Sequence, residues 1–337
     1  MSATIAAHAS GKRRPSILMV FTGGTISMRS VPGRGVVPAR SGAEILALVP
    51  GVAEGVDAVV EDFDRLPGPH WTPQRMLDLG RCLDERLATG RFDGAVVTHG
   101  TDTLEETSYF LDLTLRTDVP VVVTGAMRTP DDSAWDGPAN LVDSMRCAVS
   151  PDARGMGVLV VLDRTVHAAR EVVKAHTEAL DAFKSPREGP AGVIEAGGFH
   201  ARRRPRPRAR IAIDRIEAAV ELISSPLGAD GGLLRHAIDA GARGIVLQAL
   251  GRGNVPPAML VEVRAAIARG VPVVVASRCG AGSTSPVYGY EGGGFTLSEA
   301  GAIFATDLPA SKARIELMVL LGSDADRETI RRAFEGG

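Results

Sequence analysis

Two short stretches place hydroxyls beside glycine at the ends of apolar runs, and that combination suits chemistry in which negative charge develops. The first is Thr22-Gly23-Gly24-Thr25, directly after Ile17-Leu18-Met19-Val20-Phe21. The second is Thr98-His99-Gly100-Thr101-Asp102-Thr103-Leu104-Glu105-Glu106-Thr107, directly after Ala95-Val96-Val97. The second brings a hydroxyl, a carboxylate and free backbone N–H groups to one point. Thr103 and Glu106 have capping-box spacing, which predicts a helix start near Thr103 whose first-turn donors face Thr101 and Asp102. Developing negative charge is stabilised in such a place. A lone Thr-Asp-Thr also reads as an ordinary strand-to-helix turn whose side chains only cap. The recurrence of the same chemistry at Thr22–Thr25 favours a site.

Threonine is a weak nucleophile and needs a base, either histidine or a lysine held neutral by burial or by cationic neighbours. Lys174 stands out, in Arg170-Glu171-Val172-Val173-Lys174-Ala175-His176-Thr177, in a chain whose other lysines are Lys12, Lys184 and Lys312. His99 directly precedes Gly100 at a strand end, so it is expected to be packed or hydrogen-bonded and not to serve Thr101. The chain has no G-x-S-x-G, Walker A or H-E-x-x-H pattern, and no G-x-G-x-x-G follows the first strand. Thr22–Thr25 also lacks the Lys-Ser/Thr pair that follows a phosphate-cradling loop.

Strands are expected at 17–21, 57–63, 95–98, 119–124 and 158–162, alternating with helices at about 41–48, 73–88, 103–115 and 138–148. This is the alternation of a largely parallel sheet covered by helices. Residues 29–40 carry two Gly and two Pro without periodicity and read as a loop. From 163 to 215 the pattern is poorer. The run Arg202-Arg203-Arg204-Pro205-Arg206-Pro207-Arg208-Ala209-Arg210 has no aromatic residue for base stacking and is expected to be an extended crossing with solvated charges. Alternation then resumes, with strands at 219–223, 244–247 and 272–276, helices at 231–240 and 256–268, and closing helices at 311–321 and 324–335. The expected organisation is a disordered tail at 1–15, an N-terminal domain at 16–200, a linker at 201–217 and a smaller C-terminal domain at 218–337. In open α/β sheets ligands bind beyond the carboxyl ends of the strands, where both threonine turns fall.

Composition sets limits on partners. Hydrophobic residues make up 45% of the 337 and charged residues 23%, with a formal net charge of −2, so no nucleic-acid or anionic-membrane partner is indicated. The three cysteines, Cys82, Cys147 and Cys279, are scattered and suggest reduced thiols in a cytoplasm. No apolar run approaches the roughly 18 to 20 residues of a membrane span.

With these residues assembled, the chain resembles the bacterial-type L-asparaginase/glutaminase family. The matching stretches are Thr22–Ile26, Thr98–Thr107, Thr124-Gly125-Ala126-Met127-Arg128, Asp136-Gly137-Pro138-Ala139-Asn140-Leu141, Lys174 with Phe183-Lys184-Ser185, and Gly251-Arg252-Gly253-Asn254. The resemblance implies an α/β chain with a larger N-terminal mixed-sheet domain and a smaller flavodoxin-like C-terminal parallel-sheet domain. It also implies a homo-oligomer, a tetramer of intimate dimers, and hydrolysis of the L-asparagine side-chain amide without metal or cofactor. By match, Thr25 is the nucleophile, with Thr101, Asp102 and Lys174 as the second hydroxyl, its carboxylate and the base. Gly24, Gly68, Pro69, Gly100, Thr101, Asp102, Ala126 and Asn254 fall at substrate-binding positions. The family's loop tyrosine falls at Val36, and its serine pair for the substrate α-carboxylate falls at Gly68-Pro69. Glu291 or Tyr288 stands where a neighbouring subunit's glutamate is expected. These departures leave two alternatives, an amidase of another substrate such as glutamine and a weakly active amino-acid sensor.

Overall fold

The computed structural model describes residues 13–336 apart from 52, 54 and 208. Most of the expected tail therefore lies outside the described residues. Within it, Arg13 donates both of its bonds to the Asp93 carboxylate at 2.9 Å.

The N-terminal part runs β1 (Ser16–Gly23), β2 (Met28–Val31), β3 (Gly35–Pro38), α1 (Gly42–Ala47), β4 (Asp57–Leu66), α2 (Pro73–Leu87), β5 (Gly94–Thr98), α3 (Leu104–Thr114), β6 (Val121–Thr124), α4 (Gly137–Ala148) and β7 (Val158–Leu162). Short strands follow: β8 (Thr165–Ala168), β9 (Val173–Lys174), β10 (Phe183–Lys184), β11 (Gly192–Glu195) and β12 (Gly198–Ala201). The C-terminal part contains β13 (Val220–Ser224), α5 (Gly232–Asp239), β14 (Gly244–Ala249), α6 (Pro257–Ala268), β15 (Val273–Ser277), α7 (Gly294–Glu299), β16 (Ile303–Phe304), α8 (Ala310–Gly322) and α9 (Arg327–Glu335).

The larger sheet has the order β12-β11-β8-β7-β6-β5-β1-β4. Strands β4, β1, β5, β6 and β7 are parallel neighbours, and β8, β11 and β12 add on in antiparallel fashion, so the sheet is mixed. The second sheet, β13-β14-β15-β16, is wholly parallel. Strand β1 explains why the apolar runs are continuous. Leu18 and Val20 face the core under α2 and α3, while Ile17, Met19 and Phe21 face the core under α4. Each such fully buried side chain contributes about 1.5–3 kcal/mol. The first core continues through Leu317, Met318 and Val319 of α8, so the two sheets share apolar packing. Among the described residues no helix is long and apolar enough to cross a membrane.

Three expectations change. Residues 29–40 form a β2–β3 hairpin, with Ser30 opposite Val36. Its turn, Val31-Pro32-Gly33-Arg34, closes by Arg34 N donating to Val31 O at 3.0 Å, and Gly33 takes φ 73°, as Pro then Gly in a type II turn require. The hairpin is tied to Asp131, which accepts from Ser30 N at 2.5 Å and from the Arg40 guanidinium, just past β3, at 3.1 Å. Secondly, α1 opens on a capping box between Ser41 and Glu44, but the box expected at Thr103 and Glu106 does not form. Thr103 Oγ1 instead donates to Gly68 O at 3.0 Å, a tertiary tie that takes the hydroxyl from the helix end. Thirdly, the arginine run is largely exposed, as expected, but several of its described members are ion-paired. Arg203 pairs with Glu171, Arg206 with Glu188 and Asp307, and Arg210 with Asp118.

The turns at the strand ends are pressed together backbone to backbone. Gly24 has φ 76°, and a Cβ there would lie 2.5 Å from both N and Cα of Gly100. A Cβ on Gly100 would lie 2.7 Å from Gly68 N. Gly24→Ala should therefore lower the unfolding free energy by about 2–4 kcal/mol, since it adds both backbone strain and an overlap with main chain that cannot swing away. Thermal or urea unfolding checks this, and a parental midpoint would mean that the two turns separate without penalty.

Candidate active site

The turns after β1, β5 and β6 meet at one end of the sheet. Phe21 is in register with Thr98, and Thr98 with Thr124. Buried hydroxyls fasten the strand ends, with Thr22 Oγ1 donating to Thr98 O and Thr124 Oγ1 to Val161 O, both at 2.7 Å. His99 N donates to Thr124 O at 2.7 Å. Because Gly24 and Gly100 touch, the residues that follow them, Thr25 and Thr101, start from adjoining main chain. Thr25 opens a single 3-10 turn, Thr25–Ser27, fixed by Ser27 N and Ser27 Oγ, which both donate to Gly24 O.

Lys174 reaches this point from the short β9–β10 ribbon, where it lies opposite Phe183. Its Nζ donates to Thr101 Oγ1 at 2.9 Å and to Asp102 Oδ1 at 2.7 Å. Thr101 is buried and most of the Lys174 side chain is covered, whereas the Asp102 side chain is 60% exposed. A hydroxyl, an amine and a carboxylate thus form one connected group with a buried and an open end. The open end faces a cavity of about 380 Å³ lined by Asp102, Glu105, Lys174, Ala175, His176 and Thr177. The neighbour of Lys174 is a carboxylate, not the cationic group considered from sequence.

The other expected positions divide. Gly24, Gly68 and Gly100 form the touching backbones described above. Gly68 is buried and its carbonyl accepts from Thr103 Oγ1 and Trp71 N, while Pro69 is exposed. Ala126 is fully buried in the β6 turn. Asp136 holds that turn by accepting from Met127 N and Arg128 N, both at 2.9 Å, and Asn140 Nδ2 donates to Gly125 O at 3.0 Å. Asp136 and Asn140 were visible only as part of a matching stretch, and their spacing across the first turn of α4 was the signal for a shared task. Asn254 Oδ1 accepts from Gly294 N at 3.1 Å, so its side-chain bond lies within the C-terminal part. Val36 is half exposed on the hairpin, and Tyr288 and Glu291 are exposed on the C-terminal loop. Glu105, which sequence reasoning passed over, accepts from Lys174 N through Oε2 at 2.6 Å.

A model of the asparaginase N-terminal domain matches residues 16–207, and one of the glutaminase/asparaginase C-terminal domain matches 219–334. A probable L-asparaginase of Deinococcus radiodurans is 45% identical over 328 residues, 96% of this chain and 98% of that one. An L-asparaginase of Bacillus licheniformis is 37% identical over 308 residues, 91% and 95% of the two chains. Among solved structures, a probable cytoplasmic L-asparaginase from Campylobacter jejuni matches with a TM-score of 0.85 at 30% identity, over 95% of this chain and 99% of that one.

His99 sits behind the site as expected, fully buried, with Nδ1 2.9 Å from Gly100 O and its ring 4.4 Å from that of Trp71. Burial, opposed only by the Gly100 bond, brings its pKa down from 6.5 to about 4. A histidine depressed in the fold binds more protons when unfolded, so its contribution is full above pH 6.5 and is lost as pH falls toward 4. The shift corresponds to about 3 kcal/mol. His167, also buried and lowered to about 4, adds in the same direction. Denaturant unfolding between pH 7 and 4 should therefore show a smaller loss of stability in His99→Gln than in the parent, and equal slopes would mean that His99 titrates normally.

Proposed function

We infer that this chain, which belongs to the asparaginase family, hydrolyses the side-chain amide of L-asparagine to L-aspartate and ammonia. The observation that carries the reading at the level of residues is the Lys174–Thr101–Asp102 group beside the turn that bears Thr25.

Thr25 is the nucleophile in this reading. Its Oγ1 forms a bond to the amide carbon, the C–N bond breaks, and ammonia leaves with the threonine proton. Water then cleaves the threonine ester and restores the hydroxyl proton. Lys174, acting through Thr101, handles the proton of the attacking oxygen, because its amine is already hydrogen-bonded to the Thr101 hydroxyl. Main-chain N–H groups of the packed turns around Gly24, Gly100 and Ala126 stabilise the oxyanion, each worth about 10²–10³ in rate. The exposed Asp102 carboxylate takes the substrate α-ammonium as a charge-assisted bond. The half-exposed Val36 supplies no hydroxyl from the hairpin, so activity or substrate preference departs from that of family members with a tyrosine there. The working state is a homo-oligomer, a dimer or tetramer, and the exposed Val287, Tyr288, Tyr290 and Phe295 of the C-terminal part supply apolar surface for it. The location is cytoplasmic, in line with the named relative from Campylobacter jejuni.

Ammonia release from L-asparagine and L-glutamine by the purified protein tests the reading. Thr25→Ala, Thr101→Val and Lys174→Met should each lose about 10³-fold or more in kcat. Parental turnover in Thr25→Ala would remove it as nucleophile, and parental turnover in Lys174→Met would remove the proton path through Thr101. Val36→Tyr should raise the rate with asparagine, and no change would mean that the missing hydroxyl is immaterial.

A further inference from the structure

The first turn of α8 is pressed against the chain that leads into Lys174. Lys312, in that turn, is completely buried, and its Nζ donates to Ala169 O at 2.6 Å and to Val172 O. It also lies over the Tyr109 ring, 5.8 Å from the centroid. Its hydrogen-bond partners are backbone carbonyls and not a carboxylate, although a buried ammonium is costly without a counter-charge. Burial pushes its pKa down to about 8, while Glu105, Asp112 and Glu171 raise it and Arg170 lowers it further. The preceding residue, Ser311, donates to Glu105 Oε1 at 3.2 Å, and the other oxygen of the same carboxylate accepts from Lys174 N. Two tethers from one helix turn therefore converge on residues 169–174.

Position matters for this stretch because the Lys174 amine is at the end of a flexible four-carbon stem on a two-residue strand. Where its main chain sits decides whether Nζ reaches Thr101 at 2.9 Å. A misplacement of about 1 Å in a catalytic group can cost about 10²-fold.

We propose that Lys312, Ser311 and Glu105 are positioning residues that hold the Lys174 backbone at the distance from which its amine reaches Thr101. The C-terminal part thereby builds a component of the site in the N-terminal part. This rests on the reading of Lys174 as the residue that serves Thr101.

The test uses the full chain with Lys312→Met, Ser311→Ala, Glu105→Ala and Glu105→Gln, and with Lys174→Met beside them. Ammonia release is measured over a range of L-asparagine concentrations, and folding is checked by circular dichroism and melting. Folded Lys312→Met and Glu105→Ala should lose about 10- to 100-fold in kcat with KM within about threefold, because substrate contacts are untouched while the base is displaced. Glu105→Gln should restore most of the rate, since the amide keeps an acceptor for Lys174 N and offers a donor to Ser311 Oγ. If Lys312→Met does not fold, Ser311→Ala and the Glu105 pair decide, with a fall in kcat alone expected for Ser311→Ala and Glu105→Ala. Parental kcat in the folded variants, or a rise in KM alone, overturns the proposal while loss in Lys174→Met leaves the functional reading intact. Parental turnover in Lys174→Met overturns both.

Discussion

The contact of Gly24 with Gly100 is the constraint on which the rest of the site depends. Strands β1 and β5 are parallel neighbours, and two parallel strands that end level would ordinarily splay their following turns apart to make room for side chains. Here neither turn has a side chain at the meeting point, and a single added carbon on Gly24 would reach 2.5 Å from the opposing main chain. The main chain of the next residues, Thr25 and Thr101, thereby starts from adjoining positions. Gly68 extends the same packing to the turn after β4, where Thr103 spends its hydroxyl on the Gly68 carbonyl and not on its own helix.

Around that contact the polar groups are held by partners distant in sequence. Asp136 and Asn140 fix the β6 turn, Asp131 fixes the hairpin, and Glu105 fixes the main chain of Lys174. A catalytic arrangement is accurate only when such supports lock it, and here most of the supports are carboxylates accepting from main-chain N–H groups. Such bonds are charge-assisted and hold the backbone itself, so their effect passes to every side chain of the turn. Tyr109 donating to the buried Glu316 at 2.7 Å does the same between α3 and α8, and burial brings Glu316 up to about 7.

Much of the fold was legible because central parallel strands are covered on both faces. Ile17–Phe21 and Ala95–Val97 had to be apolar throughout, and continuous short runs of that kind are easily seen. Strands β8 to β12 were not seen, being two to four residues long, antiparallel, and of mixed composition. The β2–β3 hairpin was hidden because Pro and Gly signal a loop and a tight turn equally. Only the order Pro32-Gly33 between two extended segments distinguishes them. At the candidate site, Thr25, Thr101, Asp102 and Lys174 stand out in the sequence because their types announce chemistry. Glu105 does not stand out because the neighbouring Glu106 has the spacing of a cap, and Lys312 because its hydrogen bonds go to carbonyls more than a hundred residues away.

The hairpin that carries Val36 is tied to the body of the molecule by Asp131, which grips Ser30, directly opposite Val36, and Arg40, just past β3, while Gly35 and Val36 are exposed. Thr25 and Thr101, by contrast, follow glycine backbones packed too closely to admit a Cβ without a shift. The molecule is thus divided into a close-packed floor and an open rim. Exposed side chains on the hairpin, Val36 among them, can therefore change at little cost to the packing beneath.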